Sequence, residues 1–114
     1  MRRFPSIKDN CEFRKIYEEG RTRADRNLVL YVRPRTAGEP RIGISASKKI
    51  GNSVVRHRVT RLLREAFRLR RSALSVSCDL VFVVRKDGAM QGYHAIEASF
   101  LKLCRAQGIL EEQK

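Results

Sequence analysis

The chain has 114 residues, 42% of them hydrophobic, which suits one domain over residues 1–114 built on a single core. Its formal net charge is +13. That excess repels itself in a compact body and attracts polyanions from a distance, nucleic acid first and an anionic membrane surface second. Cys11, Cys78 and Cys104 are odd in number and scattered away from His57 and His94, unlike a disulfide framework or a zinc site. They are expected to be reduced, buried thiols of a cytoplasmic protein.

The opening MRRF carries the charge of a signal n-region, but no apolar stretch of about 7–15 residues follows it. DNCEFRKIYEEG reads as a first helix. Asp9 and Glu12 have capping-box spacing, Gly20 marks a stop, and Phe13, Ile16 and Tyr17 share one face. Residues 20–26 carry a weak strand signal. Residues 27–33 (NLVLYVR) are β-prone, Pro34, Gly38 and Pro40 mark a turn-rich connection, and residues 41–47 (RIGISAS) alternate as a strand. These two strands are expected to pair as a hairpin with a loose loop. In KKIGNS, Gly51 permits an unusual backbone angle and Asn52 or Ser53 can cap a helix. A strand from about Asp79 to Arg85 follows, containing the apolar run LVFVV, far short of the about 20 residues a membrane span needs. A final amphipathic helix is expected over residues 88–110, with Ile96, Phe100, Leu103 and Cys104 at helical spacing. The strand–helix–strand unit from 41 to 86 implies a parallel pair, and general statistics favour a right-handed crossover.

Between the last two strands lies VVRHRVTRLLREAFRLRR, residues 54–71. On a helical wheel at about 100° per residue, Val55, Val59, Leu62, Leu63, Ala66 and Phe67 fall in one core-facing arc. His57, Arg61, Arg64, Arg68 and Arg71 fall on the other side, with Arg56 and Arg58 flanking the first turn. Residues 48–71 hold nine Lys or Arg and one Glu, a net +8 of the chain's +13. Like charges at i, i+4 cost about 0.2–0.5 kcal/mol per pair, so a merely structural helix would intersperse glutamates. Guanidinium groups fork onto phosphate oxygens and stack on bases. Lys48 and Lys49 just before the helix, with Gly51 and the free N–H groups of its first turn, complete an anion cradle.

KKIGNSVVRHRVTRLLREAFR resembles the signature of the bacterial ribonuclease P protein component, K-K-x-G-x-A-V-x-R-N-R-x-K-R. Lys48, Lys49, Gly51, Asn52, Val54, Arg56, Arg58, Arg61, Arg64 and Phe67 match the family's pattern. The resemblance extends to EFRKIYEEG, RNLVLYVR, RIGISASKK and DLVFVVRK, and so covers nearly the whole chain. The chain departs at His57, where the family usually has Asn, at Thr60, often Lys, and at Ser53, commonly Ala. The resemblance implies an α/β (α+β) two-layer sandwich. It would have a mixed sheet of about four strands and three helices in the order αβββαβα, with a left-handed βαβ crossover as in the ribosomal protein S5 domain 2-like fold.

It also implies a protein that does not cut RNA alone. The family partners a catalytic RNA that hydrolyses precursor tRNA with bound Mg²⁺, and no cofactor tightly bound by the protein is expected. Under that resemblance Lys48, Lys49, Asn52, Arg56, His57, Arg58, Arg61, Arg64 and Arg68 would contact RNA. Phe13, Tyr17, Tyr31 and Arg85 would take the single-stranded 5′ leader, whose unstacked bases suit aromatic faces. The residues agree with this division: no carboxylate pair or Cys/His constellation is spaced for hydrolysis, and neither His57 nor His94 is expected as a general base. The rival reading is a generic ribosomal or RNA-chaperone protein. A DNA-binding helix-turn-helix is disfavoured because a strand, not a short helix, precedes the arginine segment. A membrane-surface helix is disfavoured because the apolar stripe is needed for the core.

Because the charge opposes folding, sulfate that binds the folded state should restore structure to the isolated chain at low ionic strength. A circular dichroism titration that stays flat with added sulfate would contradict this.

Overall fold

The computed structural model describes residues 6, 7, 9–74 and 77–110; MRRF lies outside them. Helix α1 (Asn10–Glu19) leads into strands β1 (Arg21–Ala24), β2 (Leu28–Pro34) and β3 (Arg41–Ser45). Helix α2 (Ser53–Arg70) and strand β4 (Cys78–Val84) follow, then a single-turn helix α3 (Lys86–Ala89) and helix α4 (Tyr93–Ala106). This is the expected αβββαβα order with α3 added.

The sheet order is β1-β2-β4-β3; β4 runs antiparallel to β2 and parallel to β3. The parallel pair joined through α2 is as the spacing predicts. The hairpin expected between β2 and β3 does not form, because β4 lies between them. The reason is in the side chains. In CDLVFVV every residue but Val83 is buried, so this strand needs cover on both faces and takes an interior position. β3 alternates Ile42 and Ile44 with Arg41, Gly43 and Ser45, and an edge tolerates that mixture.

One face of the sheet carries Leu28, Leu30, Val32, Ile42, Leu80, Phe82 and Val84 into the main core. There they meet Val59, Leu63, Ala66 and Phe67 of α2 and Ile96, Phe100, Leu103 and Cys104 of α4. Phe82 stacks on Phe100 with ring centroids 5.1 Å apart. The stripes read on the two helices are thus the ones buried, with Val55 and Leu62 at the margin of the α2 stripe. Val54, outside that stripe, is exposed.

α1 lies on the opposite face, where Ile16 is fully buried with Ile7 and Val81, and Phe13, Tyr31 and Val83 pack around them. Asp9 caps α1, its side chain accepting from the Cys11 N–H at 2.8 Å. Glu12 does not close the capping box; it reaches Arg41 at 2.7 Å. Arg41 in turn grips the buried Asp79 with two hydrogen bonds, 2.8 and 3.0 Å, and Arg35 stands 3.7 Å from the same carboxylate. The hydrogen bond to Asp79, opposed by burial and joined by that to Glu12, keeps the Arg41 guanidinium firmly charged. The network ties the start of α1 to β3 and β4.

Two further expectations need correction. The final helix is split: α3 ends at Ala89, and α4 starts only after Gly92. A Cβ at Gly88 would lie 2.2 Å from the Asn27 carbonyl oxygen, so α3 is pressed against the start of β2, and the extended backbone at Gly92 separates it from α4. Cys11 is exposed, not buried, because it lies on the solvent side of α1. Cys78 and Cys104 are buried and unpaired. Burial pushes the Cys78 thiol up to about 11 and the Cys104 thiol higher still.

Removing the buried carboxylate takes a shared partner from Arg41 and Arg35. Asp79→Ala should cost about 3 kcal/mol, the low end for breaking a buried pair because Glu12 still holds Arg41. Urea unfolding measures this, and an unchanged midpoint would remove the network from the account of stability.

Candidate nucleic-acid interface

The approach to α2 is built around one anchor. Lys48–Ile50 form a 3-10 turn in which Ile50 enters the core while Lys48 and Lys49 face solvent. Gly51 follows at φ 157°, and a Cβ there would meet Val55 Cγ1 at 2.8 Å, so the tight join to the helix requires glycine. Asn52 then caps α2, its side-chain oxygen accepting from the Val55 N–H at 3.0 Å. Of the two candidate caps, Asn52 is the one used. Its carboxamide oxygen is thereby committed to the helix, which leaves its NH₂ as the group that can reach a ligand.

The basic residues of α2 divide by what holds them. His57 and Arg61 are exposed, with no hydrogen bond or ion pair among the described residues. Arg64 is exposed beside them. Arg68 is engaged by Glu65 through two hydrogen bonds, 2.9 and 2.6 Å, which raise the guanidinium pKa and lower that of the carboxyl. Arg56 is half-buried, with its Nε sequestered and unpartnered. Arg58 donates to the carbonyl oxygens of Ala89 and Gln91, clamping α2 to the end of α3. Wheel spacing did not reveal that duty, since it depends on where α3 packs. Arg70 and Arg71 meet Glu97 and Glu39 from other elements. The basic surface with no ion pair among the described residues therefore runs from Lys48 and Lys49 through His57 to Arg61, with Arg64 exposed beside it.

A second surface lies on the other face of the sheet. A cleft of about 400 Å³ is lined by Asn10, Phe13, Arg14, Tyr17, Ile44 and Ser45. Phe13 and Tyr17 have ring centroids 6.2 Å apart, and Tyr17 meets Tyr31 edge-on at 4.9 Å. The three aromatics expected to act together are thus adjacent. Gly43 allows it: a Cβ there would fall 2.8 Å from the Phe13 ring. Arg85 follows Val81 and Val83 on the same side of β4, and its guanidinium donates to the Asp25 carbonyl at 3.1 Å. Asn10, Arg14 and Ser45 were missed as lining residues. Asn10, Arg14 and Tyr17 stand at i, i+4 and i+7, a spacing that would have placed the first two beside the aromatic. Ser45 carried no such signal.

Among the described residues no three His, Cys, Asp or Glu side chains cluster. No helix among them is long and apolar enough to cross a membrane.

The family model described as Ribonuclease P matches residues 1–107. The ribonuclease P protein component of Caldanaerobacter subterraneus is 43% identical over 108 residues, covering 95% of this chain and 93% of that protein. That of Clostridium novyi is 41% identical over 111 residues, covering 96% and 98%. The structure of the Staphylococcus aureus RNase P protein superposes with a TM-score of 0.88 at 28% identity, over 96% of this chain and 100% of that one.

Arg61→Ala should leave thermal stability unchanged. It should flatten the salt dependence of binding to a structured RNA by up to about 0.9 in log–log slope. Arg58→Ala should instead lower the melting temperature, because it frees α3. If both variants behave alike in melts and in salt titrations, the division between clamp and contact is wrong.

Proposed function

The chain belongs to the ribonuclease P protein family, and from that membership we propose how its two surfaces share the work. It is the protein subunit of ribonuclease P, a tRNA-processing ribonucleoprotein, and its partner is ribonuclease P RNA. In our reading the α2 surface, with Lys48, Lys49, Asn52, Arg56, His57, Arg61, Arg64 and Arg68, faces the backbone of that RNA. Arg58 supports it from behind. The cleft bordered by Phe13, Tyr17 and Tyr31, with Arg85 beyond it, takes the single-stranded 5′ leader of precursor tRNA. The observation that carries this is the open aromatic cleft: three adjacent rings on a surface that α1 covers only in part. Stacking on aromatic faces is tolerant of base identity, which suits leaders of varied sequence.

Hydrolysis is assigned to the RNA with its Mg²⁺. Among the described residues no three acidic, His or Cys side chains are grouped to hold a hard cation, which takes oxygen ligands, largely carboxylates. Glu12 and Asp79 are held by Arg41, Glu19 by Arg33, Glu65 by Arg68 and Glu97 by Arg70. The protein's part is to neutralise phosphate repulsion and to position the leader. The free, buried thiols of Cys78 and Cys104 support a reducing compartment, the cytoplasm.

The test is reconstitution with bacterial ribonuclease P RNA at low Mg²⁺, with binding of precursor tRNA measured with and without a leader. The leader should tighten binding, and Phe13→Ala should remove most of that gain while sparing affinity for the RNA subunit. Thermal melts accompany the assay because Phe13 also packs on the α1 core. Equal affinity for the two substrates would favour a generic RNA chaperone.

A further inference from the structure

Away from α2, several arginines are matched to carboxylates. Arg26 stands 3.8 Å from Asp87, Arg33 meets Glu19 at 2.9 Å, and Arg41 meets Glu12 and Asp79. At the β1 edge of the sheet this matching stops. Arg21 and Arg23 are exposed and stand opposite Val32 and Leu30, whose side chains enter the main core, so both arginines lean toward the α4 side. α4 presents Lys102 and Arg105 to solvent, three residues apart and so on one face. The end of α4 is locked to β1. Gln107 Nε2 donates to the Arg21 carbonyl at 2.8 Å, and Arg21 Nη2 donates to the Gln107 carbonyl at 3.2 Å. Burial would raise the Asp25 carboxyl, but hydrogen bonds from Ser99, Leu28 and Asn27 and the charge of Lys102 hold it low. Lys102 therefore lies beside the turn that follows β1. Among the described residues no ion pair joins any of these four cations.

The cleft leads to this place. Register pairs Ser45 with Val83, Val83 with Val29, and Val29 with Ala24. These four residues form one row across the whole sheet on the α1 face, and none of them is fully buried. The row is a floor about 14 Å long, three inter-strand spacings. It starts beside the aromatic cleft on β3, a few residues before Lys48, and ends at Ala24 on β1. The two sheet edges differ. β3 is flanked by Ser6, which bridges to Ile42, whereas no strand or bridge among the described residues covers the outer side of β1. A polynucleotide that follows the floor from β3 leaves it at Ala24 and passes over the open edge onto Arg23 and Lys102.

We propose that the β1–α4 edge, through Arg21, Arg23, Lys102 and Arg105, is a second phosphate-backbone site that holds the distal 5′ part of long leaders after they cross the sheet. The proposal rests on the leader reading of the cleft. The site grips backbone and not bases, because the exposed side of α4 from Ala98 to Ala106 offers no ring. Short leaders end on the floor; long ones gain contacts that depend on length and not on sequence.

The experiment uses the reconstituted ribonucleoprotein with the wild-type chain or the double variant Arg23→Gln/Lys102→Gln. Arg21 is left intact because it locks Gln107. Three precursor tRNAs are bound: leaderless, with a leader short enough to end in the cleft, and with one extended well past it. The wild type should tighten at both steps. The variant should melt like the wild type, keep the first gain and lose the second. Its salt slope for the long leader should fall by about 1.4, from about 0.7 for each lost single-strand contact. The proposal is overturned if the wild type shows no second gain, or if the variant keeps it. Equal weakening of all three substrates also overturns it, and would place the patch against the catalytic RNA. A wild type with no first gain refutes the leader reading itself.

Discussion

The structure depends on a strand that must be buried on both sides. In CDLVFVV, Leu80, Phe82 and Val84 point into the core under α2 and α4, while Val81 points the other way, against α1. A strand apolar on both faces is stable only inside a sheet with cover above and below. That requirement separates β2 from β3, sets the parallel pair that α2 must bridge, and brings α1 across the opposite face. α1 is only ten residues long, about 15 Å at 1.5 Å per residue, so it covers part of that face and leaves the rest as the cleft and its floor. The opening is thus a consequence of incomplete cover.

The buried charge network belongs to the same constraint. Asp79 lies at the start of β4 with its carboxylate almost fully buried, and it is stable there because Arg41 forks onto it and Arg35 stands near. Through Glu12 the network also fixes the start of α1. Phe13 is one residue further along the helix, packed over Gly43 on β3. The geometry of the cleft is therefore coupled to this salt-bridge network.

A strongly cationic chain has to divide its arginines between holding itself together and holding RNA. Glu12, Glu19, Asp79 and Glu97 each engage an arginine that joins two elements. Arg58 does similar work with backbone carbonyls. Other cations, among them Lys48, Lys49 and Arg61 at α2 and Arg23 and Lys102 at the β1–α4 edge, make no ion pair among the described residues. Self-repulsion is tolerable there because these groups are solvated.

Local pattern alone identified the core stripes of α2 and α4, a strand at about residues 79–85 and a helix cap at Asn52 or Ser53, because each depends on neighbours within a few positions. The concentration of charge in residues 48–71 was equally legible, and the signature there carried the family. Strand order was not: the Pro34–Pro40 connection reads like a hairpin loop, and only the two-sided burial of β4 decides that β2 and β3 part. Nor could spacing separate Arg58 from Arg61. Both lie on exposed helix surface, and what distinguishes them is the nearness of α3, which is in turn set by a glycine against Asn27. Residue order alone settled which residues are apolar, which are charged and where α1 and α2 begin. The tertiary structure decided which charges are already occupied and which faces stay open, because both depend on contacts between segments tens of residues apart.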